Sequence, residues 1–329
     1  LIDHNYEVVI LDDLSNSNIQ ILDRIENITG IKPYFEQVDL KSSEATQAVF
    51  NTHKDAKAVI HFAAHKAVAE SINDPLMYYQ NNLFSLINTL KAQQDNGINH
   101  LIFSSSATVY GNPTVMPITE DAPTQRSFSP YGNTKKIAEE ILEDFTNSQS
   151  EISVISLRYF NPIGAHESGE IGEFPTGIPN NLMPYITQTA AGVREKLMVF
   201  GNDYPTKDGT PIRDYIHVVD LAEAHLKALQ RLLSLTSSHP LEVFNLGTGK
   251  GYSVLEMIKA FEAVSGSPLN YEITGRRPGD VPEMFASTDL AKQVLNWEAS
   301  RGLQEMIQSS WTWEQNLRNE LQKTRVGFD

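Results

Sequence analysis

The sequence predicts an α/β fold in which a doubly wound parallel sheet is followed by a smaller C-terminal domain. Two observations lead to this prediction: short β-branched runs alternate with helix-like stretches up to about residue 160, and a segment rich in proline and glycine then begins at residue 161. Composition agrees, because 40% hydrophobic and 20% charged residues are typical of a globular protein. We therefore expect two parts, residues 1–160 and 161–329.

Apolar, β-branched runs predict four buried parallel strands, at residues 8–11, 58–64, 101–110 and 152–160. Helices are predicted between them, at residues 42–52, 75–96 and 131–147. Strands that alternate with helices in this way are joined by crossovers and lie parallel in one sheet. Residues 161–184 show little periodicity, so we expect a loop there, before mixed helices and short strands.

The first apolar run ends in Asp12, which gives it the form of the second strand of a dinucleotide-binding Rossmann fold. An acid at the end of that strand binds the ribose hydroxyls of the cofactor and disfavours the extra phosphate of NADP. We therefore predict NAD as cofactor, held by residues after this strand and the next, namely Asp12, Asp13, Asn16, Ser17, Asp39 and Leu40. An ordinary exposed turn is the alternative for the two aspartates after the first run.

A glycine-rich turn precedes that acid by about 20 residues in the Rossmann fold and binds the pyrophosphate. Here eleven residues precede Asp12, and the first glycine is Gly30. We expect that the first strand and the glycine-rich loop are missing from this chain, and that residues 1–5 are the tail of a helix. Without its central strand a sheet has unpaired edges, so we also expect this chain, expressed alone, to fold poorly or to be inactive.

Charge and cysteine content exclude several classes of protein. The formal charge of −15 argues against a broad nucleic-acid surface, and there is no cysteine for a disulfide, a thiolate metal site or a nucleophile. No apolar run approaches the ~18 residues of a membrane span. His61 and His65 have the spacing of two helical metal ligands, but a strand end does not bring such residues together, so no metal is predicted. We expect a cytoplasmic location.

Tyr131 and Lys135 lie four residues apart at the start of a predicted helix, so both side chains project from one face. A nearby ammonium group and an oxidised nicotinamide ring would lower the pKa of the tyrosine, which would make it a usable base near pH 7. Ser106 ends a predicted strand, at the sheet edge where ligands bind, and could bridge a substrate hydroxyl and Tyr131. A simple polar strand end is the alternative for this serine.

Longer motifs strengthen the prediction of an active site. They read IHFAAHKAV from residue 60, FSSSATVYG from residue 103, LRYFNP from residue 157, GIPNNLMP from residue 177 and RDYIH from residue 213. In these motifs and their order the chain resembles the extended short-chain dehydrogenase/reductases, and among them the nucleotide-sugar epimerases of the UDP-glucose 4-epimerase family. The similarity covers nearly the whole chain.

The resemblance implies an isomerase of galactose metabolism that interconverts UDP-galactose and UDP-glucose with tightly bound NAD. Tyr131 would take the proton of the sugar C4 hydroxyl, Lys135 would hold the nicotinamide ribose, and Ser106 would assist the proton transfer. Hydride would leave C4 and return to the other face of a 4-keto sugar. The cofactor would also contact a further group of residues: Phe62, Ala63, Ala64, Lys66, Asn81, Ser104 and Phe160.

A site for the UDP half of the substrate is implied as well. Arg213 and Arg277 would pair with the diphosphate, since guanidinium groups bind phosphate oxygens bidentately, and Asp280 would lie near the ribose. The alternative for each arginine is a surface salt bridge, for Arg213 with Asp214. The other substrate contacts implied by the resemblance are Phe160, Asn161, Asn180, Asn181, Leu182, Phe200 and Met284.

The resemblance implies that substrate choice depends on Met284, which stands where the family has a residue that controls the size of the sugar pocket. A bulky tyrosine there excludes N-acetylated sugars and smaller residues admit them, while methionine is intermediate and flexible, so UDP-N-acetylglucosamine and UDP-N-acetylgalactosamine stay open as substrates. A sugar 4,6-dehydratase is disfavoured, because Ala107 and Thr108 follow Ser106 in place of an Asp-Glu pair.

A truncated protein that binds nucleotide without turnover is the non-enzymatic alternative. The intact set of Ser106, Tyr131 and Lys135 argues against it, and the expected loss of a strand argues for it. The resemblance also implies a homodimer, formed through the helices at residues 81–96 and 131–147.

Overall fold

A computed structural model describes residues 1–148, 151–174, 177, 179, 181–234, 240–277 and 279–326. A short 3₁₀ turn, Ile2–His4, precedes the first strand. The strands of the first part of the chain are β1 Val9–Asp12, β2 Tyr34–Gln37, β3 Val59–His61, β4 His100–Ser106 and β5 Ser153–Tyr159. Its helices are α1 Ile21–Thr29, α2 Ser43–Thr52, α3 Val68–Asn73, α4 Pro75–Asn96 and α5 Pro130–Ser148.

The second part of the chain has shorter strands. They are β6 Asn161–Ile163, β7 Leu197–Phe200, β8 Ile212–His217, β9 Leu241–Leu246, β10 Gly251–Ser253, β11 Tyr271–Thr274 and β12 Glu283–Met284. The helices among them are α6 Leu182–Ala190, α7 Val218–Leu233, α8 Val254–Ser265, α9 Asp289–Leu295 and α10 Leu303–Val326.

Parallel sheets form the first part of the molecule, as predicted. β1 pairs with β2, and β3, β4, β5 and β9 form a four-stranded parallel sheet in that order. Alternate residues of β4 point to opposite faces: Leu101 packs with α4 and α5, whereas Ile102 packs with α7. Helices therefore cover both faces of this sheet, which confirms the doubly wound architecture.

Strand β9 belongs to the sheet of the first part although it follows residue 161 in the sequence. It pairs with β5, from Val154 opposite Leu241 to Tyr159 opposite Leu246. Helix α7 precedes it and packs on the same sheet. The alternating pattern did not predict this return. The assignment of residues 1–160 to cofactor and 161–329 mainly to substrate stays a prediction.

A small mixed sheet organises the second part. Its central strand β8 is antiparallel to β10 and parallel to β6 and β12, and β7 and β11 form a separate parallel pair. The core below these strands joins α6, α8 and α10 through Ile186, Phe261 and Ile307. This core anchors β8 and the loop before β12, which provide the polar groups described below.

Three predicted boundaries are wrong. The strand predicted at residues 101–110 ends at Ser106, and Ala107–Tyr110 form a 3₁₀ turn capped by the Ser106 hydroxyl, which accepts from the Thr108 amide at 3.2 Å. Val109 and Tyr110 are fully buried, which explains why this turn has the composition of a strand. Residues 62–64 lie beyond the end of β3, and β6 lies within the predicted loop at residues 161–184.

Candidate active site

Helix α5 places Tyr131 and Lys135 one turn apart on one face. It begins at Pro130, a residue that suits the first turn because it has no amide hydrogen to leave unpaired. A Cβ atom on Gly132 would lie 2.1 Å from Ser127 Oγ and 2.9 Å from Thr108 Cβ. Glycine at this position therefore allows the start of α5 to pack directly on the turn that follows β4.

The ammonium group of Lys135 is buried between α5 and the sheet. Its Nζ atom donates to the carbonyl oxygen of Ser104 at 2.5 Å and lies 4.9 Å from the ring centroid of Phe103. Burial lowers the pKa of Lys135 to about 8, and the negative charge of Glu139 opposes this shift. Lys135 is therefore mostly charged near neutral pH but titrates not far above it.

Burial raises the pKa of the Tyr131 phenol, and a hydrogen bond with Ser106 opposes the shift. The low pKa predicted from the sequence is thus not a property of the protein alone. It requires positive charge beside the phenol, which oxidised nicotinamide would add to that of Lys135. The Ser106 hydroxyl accepts from the Thr108 amide and from the Thr108 hydroxyl at 3.0 Å, which leaves its own proton available to Tyr131 or to a substrate.

The two aspartates after β1 hold their own loop. Asp12 Oδ1 accepts from the Leu14 amide and the Ser17 hydroxyl, each at 2.7 Å, and Asp13 Oδ1 accepts from the amide and hydroxyl of Ser15. These bonds are those of an ordinary turn, which is the alternative that the sequence left open for Asp12 and Asp13. No donor among the described residues reaches Asp12 Oδ2, so one oxygen remains for a ribose hydroxyl. Asn16 and Ser17 are exposed beside it.

Lys41 connects the predicted cofactor residues, although the sequence did not single it out. Its Nζ atom approaches three of them, at 3.3 Å from Asp39 Oδ2, 3.2 Å from Asn81 Oδ1 and 4.0 Å from Asp13 Oδ2. Leu40 contributes only its carbonyl oxygen, which accepts from Asn88 Nδ2 at 2.9 Å. The position of Lys41, two residues after Asp39 at a strand end, was the available signal.

Phe62, Ala63 and Ala64 follow the end of β3. The Phe62 side chain is 56% exposed and lies 4.9 Å from the ring of His225, centroid to centroid. An exposed ring, an open carboxylate oxygen on Asp12 and the ammonium of Lys135 form a set that fits the flat groups and ribose hydroxyls of NAD. These residues would hold the cofactor.

Glu173 brings a predicted cofactor residue and a predicted substrate residue together. Its Oε1 atom accepts from Lys66 Nζ at 3.1 Å and from Asn181 Nδ2 at 2.7 Å. The sequence did not indicate Glu173. Lys66 is distant from it along the chain, and Asn181 lies in the same irregular segment, where spacing predicts no contact. Asn180 lies outside the described residues, and Leu182 begins α6 directly after Asn181.

A cationic cluster forms where β8 meets the segment before β12. Arg213 and Arg277 both contact Asp280, Arg213 at 3.4 Å and Arg277 through two bonds of 3.2 and 3.0 Å. The alternative pair of Arg213 with Asp214 is wrong, because neighbouring side chains of a strand point to opposite faces. Asp214 instead accepts hydrogen bonds from Thr248, Gly249 and Ala286. Because two guanidinium groups share one carboxylate, the cluster carries a net positive charge that can bind an anion.

Apolar residues connect the cationic cluster to the turn on which the start of α5 packs. Met284 lies opposite Arg213 in the β12–β8 pair and packs in one cluster with Phe160 and Tyr110, at the turn after Ser106. Phe200 ends β7 with its ring 5.7 Å below the Arg277 guanidinium. Asn161 begins β6, immediately after Phe160. Predicted substrate residues therefore extend from Arg213 and Arg277 towards Tyr131.

Among the described residues, no group of three or more His, Cys, Asp or Glu side chains is placed to hold a metal ion. The His61 ring stacks on Phe103 at 6.1 Å, and the His65 ring lies 5.7 Å from that of Tyr78. Within the same part of the chain, no helix combines the length and apolar character needed to cross a membrane.

A doubly wound sheet with Ser106, Tyr131 and Lys135 at one strand end defines a nucleotide-binding protein of the short-chain dehydrogenase/reductase type. A family model described as GDP-mannose 4,6 dehydratase matches residues 1–310. The UDP-glucose 4-epimerase of Bacillus subtilis is 54% identical over 319 residues, which are 97% of this chain and 93% of the relative. That of Drosophila melanogaster is 48% identical over 97% of this chain and 92% of its own length. The chain belongs to the UDP-glucose 4-epimerase family.

Solved structures agree with this assignment. The UDP-glucose 4-epimerase of Stenotrophomonas maltophila, with bound NAD and formylated UDP-arabinopyranose, superposes with a TM-score of 0.93 and 45% identity, covering 97% of this chain and 94% of that one. The enzyme of Bifidobacterium longum, in complex with NAD+ and UDP, has a TM-score of 0.92 and 43% identity, with the same coverage of 97% and 94%.

Proposed function

We propose that this chain interconverts UDP-galactose and UDP-glucose by transient oxidation at C4, with NAD as its bound cofactor. The observation that supports this most directly is the grouping of Ser106, Tyr131 and Lys135 at the end of β4, connected by Phe160 and Met284 to the cluster of Arg213, Arg277 and Asp280. A sugar nucleotide spans two such regions, because its diphosphate is anionic and its reactive hydroxyl lies at the far end. Relatives about half identical in sequence carry the same activity in their names.

NAD, when bound, supplies a hydride acceptor at C4 and returns the hydride. Residues of the chain accept and return the proton of the C4 hydroxyl. Tyr131 takes the proton from the C4 hydroxyl. Ser106, whose hydroxyl oxygen accepts two hydrogen bonds from Thr108, keeps its own proton and donates a hydrogen bond to Tyr131 or to the substrate oxygen. Lys135 supplies a positive charge that favours the phenolate form of Tyr131.

Arg213 and Arg277 bind the diphosphate in this proposal. Both already face Asp280, so a phosphate competes for one face of each guanidinium while the carboxylate keeps the two aligned. The backbone holds Arg213 in place, because its Nη1 atom also donates to the carbonyl oxygens of Ile212 and Val281 at 2.8 and 2.9 Å.

Conversion of UDP-galactose to UDP-glucose without added NAD tests the proposal. We expect turnover by the protein purified as its whole gene product, together with NAD released on denaturation, and loss of turnover in Tyr131→Phe. A folded protein that carries NAD but leaves both sugars unchanged would contradict the proposed substrate. A folded protein that binds UDP and NAD without acting on any UDP-sugar would favour the non-catalytic alternative.

The family model bears the name of a dehydratase, but the turn after β4 does not favour dehydration. Ala107 and Thr108 follow Ser106, and Thr108 is engaged with the Ser106 hydroxyl, so no carboxyl group from this turn can protonate a leaving hydroxyl. Epimerisation of UDP-N-acetylglucosamine or UDP-N-acetylgalactosamine is the closer alternative, because Met284 does not have the bulk of tyrosine.

We also propose a homodimer formed through α4 and α5. Two large apolar side chains of α4, Leu76 and Phe84, are 78% and 49% exposed, which is unusual for a surface in contact with water. Light scattering of the protein and of Phe84→Glu tests this, and a monomeric mass for the unmodified protein would contradict it. The cytoplasmic location stays a prediction that fractionation of cells would test.

A further inference from the structure

A buried network of charged and hydroxyl side chains lies directly behind the candidate active site. Glu139 lies one turn beyond Lys135 on α5. Its carboxylate accepts from Arg158 Nε and Nη2 at 3.0 and 2.7 Å, and from the hydroxyls of Ser105 at 2.5 Å and Ser156 at 3.1 Å. The side chains of Arg158 and Glu139 are only 6% and 10% exposed. This ion pair is therefore part of the protein interior.

The network continues to the turn after β4. Arg158 Nη1 donates to the Tyr110 hydroxyl at 2.8 Å, and that hydroxyl donates to Asn245 Oδ1 at 2.6 Å. Helix α5, the turn and three strands of the sheet are thus connected through hydrogen bonds. Apolar residues of equal volume often stabilise a core as well as a buried ion pair does, so stability alone does not account for the network.

Consecutive residues of β4 contact residues that are one turn apart on α5. Ser106 interacts with Tyr131, the Ser104 carbonyl accepts from Lys135, and the Ser105 hydroxyl donates to Glu139. Two hydrogen bonds from Arg158 hold the Glu139 carboxylate in place. The bond from Ser105 to Glu139 therefore fixes both the rotation of α5 and its distance from β4. The first two contacts are the ones that the reaction uses.

We propose that Glu139 is a positioning residue for C4 epimerisation: held by Arg158 and Ser105, it fixes the α5 face that carries Tyr131 and Lys135 against β4 and keeps Lys135 positively charged. This role rests on the epimerase activity proposed above. Glu139 does not touch the reacting atoms and acts only through Lys135 and Tyr131.

The charges around Lys135 explain the second part of this role. The titratable groups near it are His61 on β3, Tyr131 and Glu139 on α5, and Arg158 beyond Glu139. Glu139 is the negative group of this set, and it opposes the lowering of the Lys135 pKa by burial. Removal of its charge would also take from Arg158 the carboxylate that it contacts directly, and the less compensated positive charge of Arg158 would favour release of the Lys135 proton at lower pH.

The test compares Glu139→Gln with a matched variant, Glu242→Gln. Glu242 also forms a two-bond pair with an arginine, Arg231, and its side chain is likewise 10% exposed, but it lies on β9 outside the site. In Glu139→Gln we expect kcat at pH 8.5 to fall about tenfold with KM within about twofold, and the alkaline limb of the pH–rate profile to move about one unit lower. Glu242→Gln and the charge-preserving Glu139→Asp should keep the original limb.

Two further measurements keep the test decisive. If Glu139→Gln does not fold, Ser105→Ala retains the ion pair and removes only the 2.5 Å bond from β4, and we expect a lower kcat at unchanged KM. The ¹⁵N resonance of Lys135 Nζ can be assigned because it is missing from the spectrum of Lys135→Met. Its change with pH gives the midpoint of the Lys135 titration without requiring any turnover. An unchanged Lys135 midpoint in Glu139→Gln, or an unchanged kcat in Ser105→Ala, overturns the positioning role. Absence of epimerase activity in the unmodified protein overturns the proposed function instead.

Discussion

The Nζ atom of Lys135 donates a hydrogen bond of 2.5 Å to the carbonyl oxygen of Ser104, beneath a helix that leaves the lysine only 5% exposed. One carbonyl oxygen and the neighbouring face of Phe103 replace the hydration shell incompletely. The pKa of Lys135 therefore falls to about 8. The positive charge of Lys135 therefore lowers the stability of the folded protein, by an amount that depends on pH.

That cost predicts how stability changes with pH. The pKa of unfolded lysine is near 10.4, so between pH 8 and 10 the unfolded chain binds more protons than the folded one, and the free energy of unfolding rises with pH. We expect Lys135 to add about 2 kcal/mol between pH 7.5 and 9.5. Urea unfolding of Lys135→Met should lack this rise, whereas a variant of the exposed Lys259, Lys259→Met, should retain it. Parallel pH curves for the protein and Lys135→Met would contradict the prediction.

Replacement of Tyr131 by phenylalanine should remove the proton acceptor and little else. We expect kcat to fall about a thousandfold, within the range of general base catalysis. The hydroxyl packs beside Ser106 rather than in the core, so the free energy of unfolding should change by less than about 1 kcal/mol. Tyr271→Phe, at an exposed tyrosine of β11, is the control for turnover. Retention of more than a tenth of the activity in Tyr131→Phe would show that another group takes the proton.

Two adjacent arginines allow a matched test of the UDP site. Arg277 faces Asp280 and the Phe200 ring, whereas Arg276 pairs with Asp203 and covers Tyr204. In Arg277→Ala we expect the Kd for UDP to rise about tenfold, because a bidentate phosphate contact is lost. Arg276→Ala should change it less than about twofold. Calorimetric titration with UDP measures both, and equal effects would place the diphosphate elsewhere.

Met284 should control the range of sugars. In Met284→Tyr the larger side chain would fill space beside Phe160 and Tyr110, so we expect conversion of UDP-N-acetylglucosamine to fall at least about tenfold relative to UDP-glucose. Competition assays with both substrates give this ratio directly. An unchanged ratio would mean that the N-acetyl group does not approach this position. Met284→Leu, of similar volume, serves as the control for packing.

Much of the candidate site could be predicted because its signals are local. Tyr131 and Lys135 share a helix face by their spacing alone, and Ser106 ends a strand in a sheet whose carboxyl edge binds ligands. The 3₁₀ turn after Ser106 was not predictable in this way. Its buried Val109 and Tyr110 have the apolar pattern of a strand, and the turn becomes visible only in the structure, through its cap on Ser106 and the close packing of Gly132 on Thr108.

Other residues could not be found from local pattern. Glu173 and Glu139 each connect elements that are distant in the sequence, and a lone charged residue in a polar segment carries no sign of its partner. A related reason explains why the alternative pairing of Arg213 with Asp214 is wrong. Its neighbour Asp214 is adjacent in sequence but points to the opposite face of β8, so the carboxylate that Arg213 meets is that of Asp280.

The sequence by itself determined the doubly wound class, the bounds of α2, α4 and α5 to within one residue, and the spacing of Tyr131 and Lys135, because periodicity and helix geometry act over a few residues. Only the tertiary structure decided which charges meet, where β9 joins the sheet, and that burial sets the pKa of Lys135 and Tyr131. Those properties depend on desolvation and on contacts across the fold, and neither is encoded in any short stretch of the chain.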